Sequence, residues 1–371
     1  VGDGTGTATN IQTVNFGSWR YFDSTALSLS SDPGGYFRYT VPTDFKAINQ
    51  DNLPENTAGI TGFSWIKNRD AADNHILSNR VRGVGRYFES DNTAVEEEDT
   101  NTVKRFLQQG VQIGNMDAVN TASESFVLWQ WVANGTGTAN SDGAIAGGTT
   151  ISANTTAGFV CGTYTGTGSA TTIGHGLGAV PKFFFVKREN GTNDTATYHA
   201  YTGGTKYLAI DSTMEAYTGS TVWNNTDPTS SVISIGSSPA VNNSGDLHMF
   251  FAWAEVEGYS KFGSYVGNSD PDGPYVNLGF KPAYLLIKKS SAGGTRWIIV
   301  DSARDPYNPT LYELWADGNN AESTASRPID LLSNGFKLRA SDSAYNSGTF
   351  IYAAFAEHPV GGSGVAQAKA R

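Results

Sequence analysis

The sequence holds little of what most compact catalytic and metal-binding sites require. Of its 371 residues one is cysteine, Cys161, and five are histidine. A lone cysteine excludes an internal disulfide and a cysteine-rich metal site, so stability must come from packing or assembly. Cys161 sits in a strand-like run and reads as buried and inert. His75, His175, His199, His248 and His358 fall in no His-x-x-x-His or Glu-x-x-His spacing. They read as isolated surface or strand-end residues, and no metal and no cofactor is expected.

Charge is also scarce. Charged residues make up 16% of the chain and the net charge is −10. Phosphate binding needs a basic face, and none is visible, so nucleic acid is not expected as a partner. The one dense charge run, Glu96-Glu97-Glu98-Asp99, reads as a solvated loop or short helix face. No apolar stretch approaches the length of a membrane span and no signal peptide is visible, so membrane insertion is not expected. Helical periodicity is nearly missing. The best helix candidate is Thr93 to Gln109, which is rich in good helix formers and stops before Gly110.

What the chain does contain is apolar and aromatic bulk, at 39% and 12%, and 43 glycines without a three-residue period. That combination excludes both a disordered chain and collagen, and indicates short strands joined by tight turns. Runs such as Lys182-Phe183-Phe184-Phe185-Val186, Ser231 to Ile235, Tyr284 to Ile287 and Thr349 to Ala353 are rich in aromatic and β-branched residues. They predict an all-β chain of tandem β-sandwich repeats, concanavalin- or jelly-roll-like.

An internal repeat organises these strands. Gly178-Ala-Val-Pro-Lys-Phe-Phe-Phe-Val-Lys187 aligns with Gly279-Phe-Lys-Pro-Ala-Tyr-Leu-Leu-Ile-Lys288, and Phe63-Ser-Trp-Ile-Lys67 aligns with the later part of both. Downstream, Val119-Asn120, Val241-Asn242 and Tyr345-Asn346 each precede a small-residue turn and a strong strand. Trp131, Trp253 and Phe355 hold one equivalent position, read as core anchors. The repeats run from about 55 to 134, 156 to 257 and 258 to 359, a period suited to a β-sandwich and too long for a solenoid. The lysine closing each strand is expected to keep its ammonium in water while the run beside it is buried. Residues 1–54 read as the end of an upstream β-domain, and 360–371 as a flexible Gly/Ala-rich tail. The chain begins with Val1 rather than Met, and it reads as starting inside a longer polypeptide.

The repeated blocks resemble a β-rich domain of virion structural and tail-fibre proteins of marine tailed phages. The residues that carry the resemblance are Thr163 to Gly168, Gly174 to Gly178, Trp223 to Thr229, Glu257 to Tyr265 and Asn334 to Arg339. The run Phe37 to Pro54 resembles the last strand of a SPRY-type, concanavalin-like domain. The resemblance implies a virion location and a structural or adhesive role, and it carries over no catalytic residue.

The remaining motifs offer little chemistry. Gly166-x-Gly168 lies between strands with no helix after it, and no Gly-x-Ser-x-Gly elbow stands between strand and helix. Asp270 and Asp272 lack the rest of a calcium loop and read as an acidic turn. The third copy has an extra stretch, Asp301 to Pro309, in which two prolines flank an aromatic tip. Tyr307 and Asn308 are therefore the candidate receptor-binding residues.

These readings converge on a non-enzymatic phage structural protein, a tail-fibre or comparable appendage subunit contributing to host attachment. Its expected partners are itself, as a homotrimer, other virion proteins, and a host surface glycan or protein. Two alternatives stay open: a polysaccharide-degrading tailspike-like enzyme, whose carboxylate pair would be set by space rather than sequence, and a cellular surface adhesin or filament subunit.

Overall fold

The structure is a computed structural model that describes residues 58–107 and 110–356, together with one strand pair, Ser28–Leu29 with Tyr36–Phe37. The chain divides into two units, 1–55 and 56–371. The sequence readings of Val14 to Gly17, of most of 36–54, of His358 and of the tail lie outside the described residues. The second unit is all-β and antiparallel, and four one-turn helices are its only helical elements among the described residues.

Each copy builds one inner sheet around two long strands. In the first copy these are β1 (Ala58–Asn68) and β3 (Phe126–Asn134), flanked by β2 (Ile76–Asn79). In the second they are β5 (Pro181–Arg188) and β7 (Leu247–Ala254), flanked by β4 (Phe159–Thr165) and β6 (Ala196–His199). In the third they are β9 (Pro282–Lys289) and β11 (Ser347–Ala356), flanked by β8 (Ser260–Asn268) and β10 (Ile298–Asp301). The second and third sheets each reach eight strands; the first has three among the described residues. Residues 138–140 and 149–154, between the first two repeats, extend the second sheet as two further strands.

Register shows why the repeat spacing recurs. Phe63 pairs with Trp131, Phe183 with Trp253 and Tyr284 with Phe355. Two residues on, Trp65 pairs with Trp129, Phe185 with Phe251 and Leu286 with Ala353. Two further on, Lys67 pairs with Val127, Lys187 with Met249 and Lys288 with Ile351. Because side chains alternate across a strand, all of these project from one face of each sheet. That face is turned inward: the three sheets share a single aromatic cluster. The three copies therefore surround one axis as three sides of a prism, and Trp131 lies 5.5 Å, ring to ring, from both Trp253 and Phe355. The void left on the axis is about 10 Å³, room for one water and no channel. The intervening residues, such as Phe184 and Val186 or Leu285 and Ile287, face each copy's own outer core.

Both Pro181 and Pro282 open their strand with a register shift before the aromatic residue. The glycines three residues earlier, Gly178 and Gly279, have φ of +68° and +85°, which side chains rarely adopt. The turn fixes where each strand starts, and with it which residues face the axis.

The seams between copies repeat as well. Glu96 N–H donates to Glu189 O (2.7 Å), Ala216 N–H to Ser290 O (3.1 Å), and Glu322 N–H to Arg69 O (2.7 Å). Each acceptor lies two residues after the copy's lysine. These three bonds run first copy to second, second to third and third to first, so they close a ring at the lysine end of the prism.

Three expectations need correction. The Thr93 to Gln109 stretch is not helical over its described residues, 93–107: Val103–Leu107 forms a hairpin strand with Gly110–Ile113, because Val103, Phe106 and Leu107 are buried in the first copy's outer core. Tertiary burial overrides local helix propensity there. Within the acidic run, Glu97 and Glu98 are exposed, but the Glu96 carboxylate is held by Arg82 and Arg86. The four described histidines lie at or next to strand ends, as read, but not at the surface: His75, His175, His199 and His248 are buried, each within hydrogen-bonding distance of main-chain carbonyls or amides.

Candidate functional site

The lysine end is built by the same local chemistry three times. Lys67, Lys187 and Lys288 are fully buried, contrary to the expectation that their ammonium groups reach water. Each instead donates to the turn that follows its strand: Lys67 to Asn68 O (2.5 Å) and Ala71 O (3.1 Å), Lys187 to Asn193 O (3.3 Å), and Lys288 to Thr295 O. At the far side of each turn a carboxylate receives a backbone N–H. Asp91 takes that of His75 (2.8 Å), Asp211 that of Thr195 (2.7 Å), and Asp317 that of Trp297 (2.8 Å).

Burial disfavours the charged form of all six groups. It lowers Lys67 and Lys288 to about 8 and lowers Lys187, against the raising influence of nearby carboxylates. It raises Asp91 and Asp211 to about 6 and also raises Asp317. The result is three turns, each pinned by a lysine, an aspartate and the N–H of a neighbouring copy.

Beside the first of these turns lies an open cleft of about 370 Å³, lined by Asp73, Asn74, Glu89 and Asp117 among others. Asn68 donates to Asp73 (2.6 Å) and Asn92 to Glu89. Among the described residues no group of three or more His, Cys, Asp or Glu side chains has the arrangement to hold a metal ion.

The Asp301 to Pro309 stretch divides into two parts. Its first half is a seam. Arg304 is buried and bonds Asp301 (2.6 Å), Glu322 (2.7 Å) and Ile299 O (3.0 Å), while its guanidinium lies 5.6 Å from the Trp129 ring of the first copy. Trp129 Nε1–H donates to Asp301 (3.0 Å), and Glu322 also binds Arg69 (2.6 Å). The second half separates the two candidate residues. Tyr307 is 81% exposed. The Asn308 amide, in contrast, exchanges two bonds with Leu331, at 2.9 and 2.8 Å, imitating a strand partner. Asn308 therefore fixes the loop that carries Tyr307. In the other acidic turn, Asp272 pairs with Lys337 (2.8 Å) and Asp270 receives the Asp272 N–H.

Sequence reasoning missed the lysine and arginine seams, because a lysine after an apolar run looks the same whether it is solvated or buried. The repeated Asn was legible as turn chemistry, but its role is larger. Asn242 bonds Thr167 N, Ser169 O and Gly236 O, and Asn346 bonds Asn268 N, Asp270 O and Ala340 O, so each ties two loops to its one-turn helix.

Cys161 is buried against Gly62 O at 3.4 Å, and burial pushes its thiol up to about 12. His199 accepts from Tyr201 N at Nδ1 (3.1 Å), which leaves Nε2–H to donate to Tyr352 O of the third copy (3.1 Å). Burial holds its pKa down to about 4. A group depressed in this way stabilises the fold fully above its unfolded pKa of about 6.5 and loses that contribution as pH falls toward the folded value. The loss attributable to His199 at pH 5 is about 2 kcal/mol. Chemical denaturation at pH 7 and pH 5 should show the native chain losing about that much more stability than His199→Asn. Equal losses would contradict a neutral buried imidazole.

Residues 33–359 match a family described as a domain of unknown function (DUF7483), a span that takes in residues 37–54. No curated protein and no solved structure matches the chain.

Proposed function

We propose that this chain, which belongs to the DUF7483 family of domains of unknown function, is a structural protein of a phage virion, a tail-fibre or comparable appendage subunit that contributes to host attachment. The observation that carries this reading is the shared axial core: three copies are fused into one body whose central cluster belongs to no single copy. Such a body resists bending between repeats and holds its end loops in fixed relation, which suits an appendage segment. The resemblance of the repeated blocks to marine tailed-phage structural proteins supports the same reading.

Other virion proteins, a host surface glycan or protein, and further copies of the chain are its proposed partners. Three chains about one axis should sediment at three times the subunit mass. A persistent monomer would leave three-fold order to the repeats alone. Of the two candidate contact residues, Tyr307 is free to touch a receptor and Asn308 supports it.

The test of the reading is the particle itself. An image of intact virions should place the chain in an appendage, and mass spectrometry of purified particles should detect it. Its absence from particles would refute the reading. The acidic cleft favours one second reading, a polysaccharide hydrolase. Release of reducing ends from host polysaccharide, lost in Glu89→Gln, would select that instead.

A further inference from the structure

We infer that the third copy is held to the other two by an acid-sensitive latch, formed by His75 of the first copy and His199 of the second, and that acid parts it from them as a folded domain. The latch works whatever the chain attaches to.

Hydrogen bonds leave each of the two rings one tautomer. Trp65 Nε1–H donates to His75 Nδ1 (2.7 Å), so His75 Nε2–H donates to Trp315 O of the third copy (3.0 Å). Tyr201 N–H donates to His199 Nδ1 (3.1 Å), so His199 Nε2–H donates to Tyr352 O, again of the third copy (3.1 Å). Both side chains are buried. Protonation puts an N–H on Nδ1 of each ring, where it faces the N–H that was donating. One bond then breaks, and a charge is left in a seam that excludes water.

One equivalent position shows why the seams differ. Asn79, His199 and Asp301 are the cross-strand partners of the axial residues Phe63, Phe183 and Tyr284. Each reaches the next copy. Asn79 Nδ2 lies 3.8 Å from Met249 Sδ of the second, His199 bonds the third, and Asp301 accepts from Trp129 Nε1–H of the first (3.0 Å). The seam between the first and second copies therefore holds a neutral amide where the seam between the second and third holds an imidazole. Carboxylates do not divide the seams in this way: Arg82 joins Glu96 to Glu189 across the first of them, and Arg69 joins Glu322 across the last. The histidines are what set the third copy's two seams apart.

Burial is the main force keeping both rings neutral. At His199 it acts against the bond to Tyr352 O and holds the pKa down to about 4. At His75 the charges of Lys67 and Arg304 add to burial, the carbonyls of Trp315 and Gly318 oppose it, and the pKa falls to about 3. The Asp91 carboxylate accepts the His75 backbone N–H. Each histidine thus stabilises the closed form fully above its ordinary pKa of about 6.5 and loses that contribution as pH falls toward its depressed value. At pH 4.5 the ratio of open to closed forms rises about 80-fold through His199 and about 100-fold through His75. The third copy has an apolar core of its own on the outer face of its sheet, with Leu285, Ile287, Phe336 and Tyr345 among its residues, so it can leave the axis without unfolding.

Hydrogen exchange of the full chain at pH 7 and pH 4.5, corrected for the intrinsic effect of pH on the rates, tests the latch, with far-UV circular dichroism as the check on folding. Four amides report the seams: Ala216 and Gly294 between the second and third copies, Glu322 between the third and first, and Glu96 between the first and second. At pH 4.5 the first three should lose about tenfold protection or more and Glu96 less than about twofold, with the strand signal retained. His75→Asn combined with His199→Asn should abolish the response of those three. Asn79→His, which gives the first seam an imidazole, should add Glu96 to the amides that respond. Equal loss at all four amides of the native chain, or loss at none, overturns the inference, and so does a response that survives in a folded double variant. If the double variant does not fold at pH 7, Asn79→His decides, and a Glu96 amide that stays protected in it overturns the inference.

Discussion

Trp253→Ala is expected to lower the unfolding free energy by about 3–5 kcal/mol, the usual cost of removing a large buried aromatic side chain. Trp253 is 3% exposed and touches rings from two copies: Phe159, Phe183 and Phe185 of its own and Trp131 of the first. Its indole N–H has no protein partner, so the loss is one of packing rather than of a hydrogen bond. The axial void cannot collapse around the missing ring without shifting three sheets at once, which places the cost toward the upper part of the range. Trp253→Phe should retain most of the stability, since Phe355 occupies the equivalent place in the third copy. Denaturant titration measures both. An unchanged midpoint for Trp253→Ala would place the side chain outside the core.

Arg304→Ala is expected to cost about 3–5 kcal/mol, because it leaves two buried carboxylates without their shared cation. The Arg304 side chain is 2% exposed, and those of Asp301 and Glu322 are 3% and 8%. The arginine also closes the seam between the third and first copies through its place over Trp129. Lys337→Ala removes an ion pair to the well-exposed Asp272 and should leave stability nearly unchanged, since solvent screens such pairs. Thermal unfolding of the two variants side by side measures the contrast. A mild Arg304→Ala would mean that Arg69 alone neutralises Glu322.

Much of this architecture was legible in the chain. Phe183-Phe184-Phe185-Val186 has no polar gap, which marks a strand buried on both faces, and the hundred-residue period marked three copies of it. What could not be read was the destination of the two faces. Phe183 and Phe185 face the axis while Phe184 and Val186 face the copy's own core, and both sets are apolar. Three independent sandwiches and one shared prism therefore present the same pattern. Lys187 illustrates the same ambiguity at one residue. Its burial follows from the turn closing over it and from the neighbouring copy, and neither leaves a mark on the local sequence. Pro and Tyr beside Asn308 mark a stiff exposed loop in the sequence; only the loop's fold onto Leu331 shows that the Asn308 amide also bonds the framework.

The shared axis is the central claim, and native-state hydrogen exchange tests it most directly. If the three inner sheets form one cooperative unit, the slowest amides of β1, β5 and β9 should exchange through a single global opening, with one free energy and one denaturant dependence. Trp253→Ala, in the second copy, should then lower that free energy equally in all three. Three separate plateaus, or a loss confined to β5 and β7, would contradict a common core and return the copies to independent domains on a string.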